Sequence, residues 1–234
     1  LHNAIKNETA RSLISAIALI LYFNDMNILL DNQYCPPISY FALMLKAEVV
    51  MIEKHEHFVK SSNRNRCQIA GPNGLQLLSI PIESGRSHRQ YFTEVKASYA
   101  EDWQKNHWQS LCSSYRRSPY FEFYEYELED LFLQKANSIY QLNVAITESI
   151  ISLLKLDIQL TFTDTYEKSY PDFFDARALY KEGKYAPTIP TYIQVFGDRH
   201  SFLNDISILD LLFTQGPNAK EYLMTFSKHL DIMI

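Results

Sequence analysis

Glycine is scarce in this chain, with six residues among 234. That excludes a collagen-like repeat and a Gly-rich linker. Cysteine is scarce too: Cys35, Cys67 and Cys112 are widely spaced and odd in number. No CxxC or Cys/His zinc spacing occurs, so neither a disulfide framework nor a structural zinc site is expected. Free thiols fit a reducing compartment, and the expected location is the cytoplasm. A basic surplus is missing as well. The 22 Lys and Arg face 27 Asp and Glu, a formal charge of −5, so a general nucleic-acid binder is not expected. There is no P-loop, GxGxxG fingerprint, GxSxG elbow or serine–histidine–aspartate order. P-loop NTPases, Rossmann dehydrogenases and serine hydrolases are disfavoured accordingly. The strongly apolar segment at residues 12–23 is shorter than the about 20 residues a membrane span needs, so no stable span is expected. No small-x-small cleavage site follows it. Met26 heads a strand-like pattern, which makes it the expected natural start. Residues 1–25 then form an N-terminal extension outside the domain at 26–234.

What is present is an ordinary globular composition, 47% hydrophobic and 21% charged. Tyrosine is abundant, so many phenol hydroxyls must be placed. A strand is predicted at 27–30, then Pro36-Pro37 in the first turn of a helix at 38–46. That helix is apolar almost all round and should be buried. A second strand at 49–53 completes a βαβ unit. After a polar stretch, strands at 67–70 and 75–82 flank Gly71-Pro72-Asn73-Gly74 as a hairpin, with Pro81 at an edge. A basic loop at 84–90 leads to a further strand at 92–97. Ser98-x-x-Glu101 reads as a capping box opening a helix to Arg117. The aromatic and acidic segment 120–133 suggests no element. A helix is predicted at 138–156, strands at 158–162 and 192–196, and a last helix at 205–214, stopped by Gly216-Pro217. The long Tyr-rich connection holding Pro171, Pro187 and Pro190 is a candidate lid or binding loop. The expected fold is α/β: a single domain with a mixed, partly parallel sheet flanked by helices.

Several side chains carry candidate chemistry. In an extended chain Arg64 and Arg66 point the same way, and two guanidiniums can hold a phosphate by paired N–H bonds. Lys60 and Asn65 lie beside them. The alternative is a solvated basic edge strand. His55 and His57 form an HxH pair near Glu53, a weak metal pattern; the expectation is no metal, with His55 as a general base instead. His107 shares a helix face with Trp103 and Leu111. It is either a half-buried, satisfied histidine or a second acid–base group. The run Tyr120-Phe121-Glu122-Phe123-Tyr124 is core, or a stacking surface for a ring. Asp210 faces solvent or pairs with an arginine. No cofactor is identifiable.

Taken in order, these stretches resemble the WbqC-like family, bacterial proteins often found in surface-polysaccharide gene clusters. The resemblance runs from near Met26 to about Leu223. Gln33-Tyr34-Cys35-Pro36-Pro37-Ile38-Ser39-Tyr40-Phe41 stands for the family's Gln-Pro-Tyr-x-x-Pro loop, with Tyr34 where many members have proline. Arg64-Asn65-Arg66 fits its Asn-Arg-Asn-Arg box, and Ser79-Ile80-Pro81-Ile82, the helix from Trp103 and Ser207-Ile208-Leu209-Asp210 also match. The resemblance implies a role in glycan assembly and no settled reaction. The first expectation is a cytoplasmic group transferase acting on a nucleotide-linked sugar. Lys60, Arg64, Asn65 and Arg66 would hold the anion, Tyr34 or Tyr40 the sugar, and His55 or His107 would move a proton. The second is a non-catalytic binding or scaffold protein of a glycan-assembly complex.

Overall fold

The structure is a computed structural model that describes residues 26–83, 90–181 and 185–230. The expected N-terminal extension and most of the basic loop at 84–90 lie outside the described residues. Strand β1 (Met26–Leu30) carries Ile28, Leu29 and Leu30 with no exposure at all, as a central strand covered on both faces must. It leads through the Pro36-Pro37 turn into helix α1 (Ile38–Met44), every residue of which is buried. Strand β2 (Ala47–Ile52) returns parallel to β1. Two short strands complete the sheet: β5 (Leu160–Phe162) beside β2 and β6 (Phe173–Asp175) beside β1. The order is β5-β2-β1-β6, and each pairing is parallel. The α/β expectation holds, with an antiparallel hairpin, β3 (Arg66–Gly71) with β4 (Gly74–Ser79), standing apart from the parallel sheet. Gly74 sits at φ 104°, the turn conformation that its lack of a Cβ permits.

The helices are α2 (Trp103–Tyr115), α3 (Phe121–Leu133), α4 (Ile139–Leu153), α5 (Ile208–Gln215) and α6 (Ala219–His229). Ser138 caps α4 through a bond from the Gln141 N–H, and Ser207 caps α5 through the Leu209 N–H. Pro37, at the N-cap of α1, offers no such side chain. Asp205 supplies it from a distance, accepting from the Ser39 N–H at 2.8 Å and from its hydroxyl at 2.6 Å.

Several expectations are corrected. Residues 92–97 are no strand; Phe92–Glu94 form a 3-10 turn around the fully buried Phe92. Its backbone pairs instead with the polar loop, Phe92 N–H to the Glu56 carbonyl. The capping box goes unused, since α2 starts at Trp103 and Ser98 accepts only from Ala100. The aromatic, acidic segment is helix α3, turning Phe121, Leu128, Leu131 and Phe132 inward. Residues 192–196 form no strand, because Tyr192 and Gln194 bond through their side chains to Asp210 on α5. The last predicted helix begins three residues later than expected, at Ile208, and α6 follows the Gly216–Asn218 turn.

Candidate functional site

The four parallel strands end in a polar layer. Asp31 follows β1, Glu53 follows β2, Thr163 follows β5, and Asp175 closes β6. Glu53 is fully buried and shared: its Oε1 accepts from the Thr163 hydroxyl (2.9 Å) and the His55 N–H (2.7 Å), and its Oε2 from Arg177 Nη1 (2.8 Å). Arg177 also forks onto Asp175, Nε at 2.9 Å and Nη2 at 2.5 Å, with the Tyr166 and Tyr170 rings over its guanidinium. A second buried arginine, Arg64, gives Nε to Glu56 at 3.1 Å and pairs through Nη2 with Glu56 and, at 3.8 Å, with Asp31. Burial pushes the Asp31 carboxyl up to about 7, against the pull of Arg64. Open α/β sheets place ligands beyond the carboxyl ends of their strands, so this layer is the natural floor of a site.

Beside it opens a cavity of about 410 Å³, walled by Tyr34, Asn63, Arg66, Gln68, Tyr180, Tyr185 and Asp205 among others. Arg66 Nε is buried and finds no partner among the described residues. Three non-glycine residues of this wall, Cys35, Ser61 and Asp205, hold left-handed backbone at φ 42°, 60° and 49°. Such strain persists only where the surroundings over-determine it, and it clusters at ligand sites. The cavity is tied to the polar floor: Asn63 donates to Gln33 Oε1 at 3.3 Å, and Gln33 donates to Asp31 Oδ1 at 2.8 Å. Tyr34 Oη lies 2.9 Å from His107 Nδ1. Burial pushes the Tyr34 phenol up and lowers His107 to about 4, so both are neutral near pH 7. Burial also raises Asp205 to about 6.

The predicted residues therefore separate. Tyr34 and Arg66 line the cavity, and Lys60 is exposed one residue before Ser61 of its wall. Arg64 and Arg66 do not act as a pair on one face. Residues 61–65 bend through turns rather than extending, which sends Arg64 to a fully buried ion pair and leaves Arg66 to the cavity. Asn65 is buried with Nδ2 on the Ile80 carbonyl at 2.9 Å. Tyr40 lies in the core, its hydroxyl on the Asp31 carbonyl at 2.8 Å. His55 is half-buried with Nε2 at 3.1 Å from the Thr163 carbonyl, whereas His57 is exposed and stacks on Tyr91. Asp210 is buried and bonded to Tyr192, not solvated, and among the described residues it pairs with no arginine. Asp31, Glu56, Asp205 and Arg177 went unread in the sequence. Acidic residues directly after predicted strands were the available signal for Asp31. Arg177 had none, because its partner Glu53 lies 124 positions away.

Among the described residues no three His, Cys, Asp or Glu side chains converge as metal ligands, and no helix is long and apolar enough to cross a membrane. A family model described as the WbqC-like protein family matches residues 32–174. Over 228 residues the chain is 25% identical to the uncharacterized protein Rv1507c of Mycobacterium tuberculosis, covering 83% of this chain and 96% of that protein. No solved structure matches.

Proposed function

The chain belongs to the WbqC-like protein family, and on that premise we propose that it acts in the cytoplasm on a nucleotide-linked sugar, or a related phosphorylated intermediate, of surface-polysaccharide assembly. The ligand sits in the Arg66 cavity, and the protein transfers a group to or from it. One observation carries this reading: in the wall of that cavity Arg66 presents a buried Nε with no partner among the described residues. The surrounding phenols, amides and serine hydroxyls suit hydroxyls, while a guanidinium suits a phosphate. Asp205 does not neutralise the arginine's role, since both its oxygens are held by Ser39. In this reading His107, whose Nδ1 lies 2.9 Å from the Tyr34 hydroxyl, positions that phenol.

A thermal-shift screen with nucleotide sugars tests the reading. A ligand present at about 100 times its dissociation constant adds about 2.7 kcal/mol to stability. No shift with any nucleotide sugar or sugar phosphate would reject it. The second reading, a non-catalytic binding protein, draws on α3, where Phe123 and Tyr126 stand 77% and 80% exposed. It is favoured if ligands bind without turnover.

A further inference from the structure

Residues 67–82 carry no charged side chain, in a chain that is 21% charged and has a formal charge of −5. Strand β4 lies inside this stretch, and among the described residues it pairs with β3 alone. The outer bonds of β3 show which way each residue of the hairpin faces. Gln68 accepts from the Ser207 N–H at 2.8 Å, and Ala70 donates to the Tyr115 hydroxyl at 3.0 Å. The backbone groups of both residues therefore point away from β4. Leu77 and Leu75, which stand opposite them in the ladder, then point away from β3. Among the described residues no hydrogen bond reaches the N–H or C=O of either leucine. The Ser79 carbonyl, next in that row, accepts from His107.

Natural edge strands are blunted with charge, proline or a bulge, because an open edge templates pairing with another chain. β4 has none of these. Gly74–Ser79 contains no charge and no proline, and its six pairs with β3 run without a register shift. Leu75 and Leu77 stand 55% and 53% exposed on one face. Two copies of an acidic chain repel, so a neutral edge is where they can approach. The edge is also self-complementary. With a two-fold axis through Gln76, Leu75 of each copy falls opposite Leu77 of the other, and both pairs are of the hydrogen-bonded kind. A register centred on Leu77 would need the Ser79 carbonyl that His107 holds.

We propose that β4 is a self-association edge, which pairs antiparallel with β4 of a second copy about Gln76 and joins the two hairpins into one continuous sheet. The leucines of both copies meet on the exposed face of that sheet. The same face carries Arg66, Gln68 and Leu77 of the cavity wall, so pairing sets the partner's Leu75 beside Leu77 at the cavity's rim. A single strand edge buries less than a standard interface, which makes the dimer a reversible one. The association stands whether or not the cavity binds a nucleotide sugar.

Sedimentation velocity of the full chain over a range of micromolar concentrations tests it. The native chain is expected to pass from monomer to dimer as concentration rises. Leu75→Lys combined with Leu77→Lys sets like charges opposite each other and should weaken dimerisation at least about tenfold. Leu75→Glu combined with Leu77→Lys sets opposite charges across the axis and should dimerise more tightly than the first combination. Leu77→Pro gives up an N–H that β3 does not use and should sediment as a monomer, which tests the edge without adding charge. A native chain that stays monomeric throughout overturns the proposal, as does native-like dimerisation by Leu77→Pro or by the two lysine substitutions together. Equal weakening by both charged combinations would also overturn it, by removing the Leu75–Leu77 pairing about Gln76.

Discussion

Arg64 closes on Glu56, eight residues earlier in the chain, through both Nε and Nη2, and its side chain is fully shielded from water. The same guanidinium faces Asp31 beyond β1, and the Arg64 carbonyl is held by Asn143 of α4. One residue thus joins the first strand's end, the polar loop and a helix more than seventy positions away. It is a structural cation, unlike Arg66 two residues on.

Arg64→Ala is expected to cost about 3–5 kcal/mol of folding stability, because it leaves buried carboxylates unpaired. Arg64→Lys should recover little, since an ammonium cannot reproduce the forked contact. Urea denaturation of both variants measures this. A change below about 0.5 kcal/mol, the range of ordinary surface substitutions, would show that the pair is not structural.

His107 is held neutral by burial, with its pKa lowered from 6.5 to about 4. The unfolded chain binds this proton between those values, so the contribution to stability is complete above pH 6.5 and declines as pH falls toward 4. The native protein should lose up to about 3 kcal/mol relative to His107→Gln across that interval. Denaturation midpoints at stepped pH measure the difference. A ring titrating with a midpoint near 6.5 by NMR would contradict it.

Gly216 occupies left-handed backbone at φ 50°, and a Cβ there would run into the ring of Tyr120. Gly216→Ala should therefore destabilise by at least about 1–3 kcal/mol, from strain and overpacking together. Adding Tyr120→Ala should return the steric part and leave the backbone part. Independent, additive effects of the two substitutions would remove the proposed clash.

The parts of the fold written in the sequence are those where one periodicity governs a segment. β1, α1, β2 and the β3–β4 hairpin follow from apolar runs with turn residues between them, and α4 from its apolar stripe behind Ser138. α3 was hidden because Glu122, Glu125, Glu127 and Glu129 interrupt a narrow stripe of Phe121, Leu128 and Phe132. β6 is three residues inside a Tyr-rich connection, and only its pairing with β1 makes it a strand. The 192–196 segment has strand-like composition, but its side chains reach Asp210 before its backbone can find a ladder. Of the residues the sequence singled out, Tyr34 and Arg66 line the cavity. The role of Arg64 was not legible, because alternation assumes extended chain and residues 61–65 turn. Arg177 and Asp205 owe their places to partners far along the chain, which local patterns do not encode.

Arg66 decides the central question, and calorimetric titration with inorganic pyrophosphate on the native protein, Arg66→Ala and Arg66→Lys asks it most directly. A charge-assisted hydrogen bond to the anion is worth roughly 1.5–3 kcal/mol. Arg66→Ala should therefore bind at least about tenfold more weakly, equivalent to 1.4 kcal/mol, and Arg66→Lys should restore little. The denaturation midpoint should stay nearly unchanged, because Arg66 Nε has no partner to lose among the described residues. Equal affinity in all three proteins, or no binding by the native chain, would contradict an anion site in this cavity.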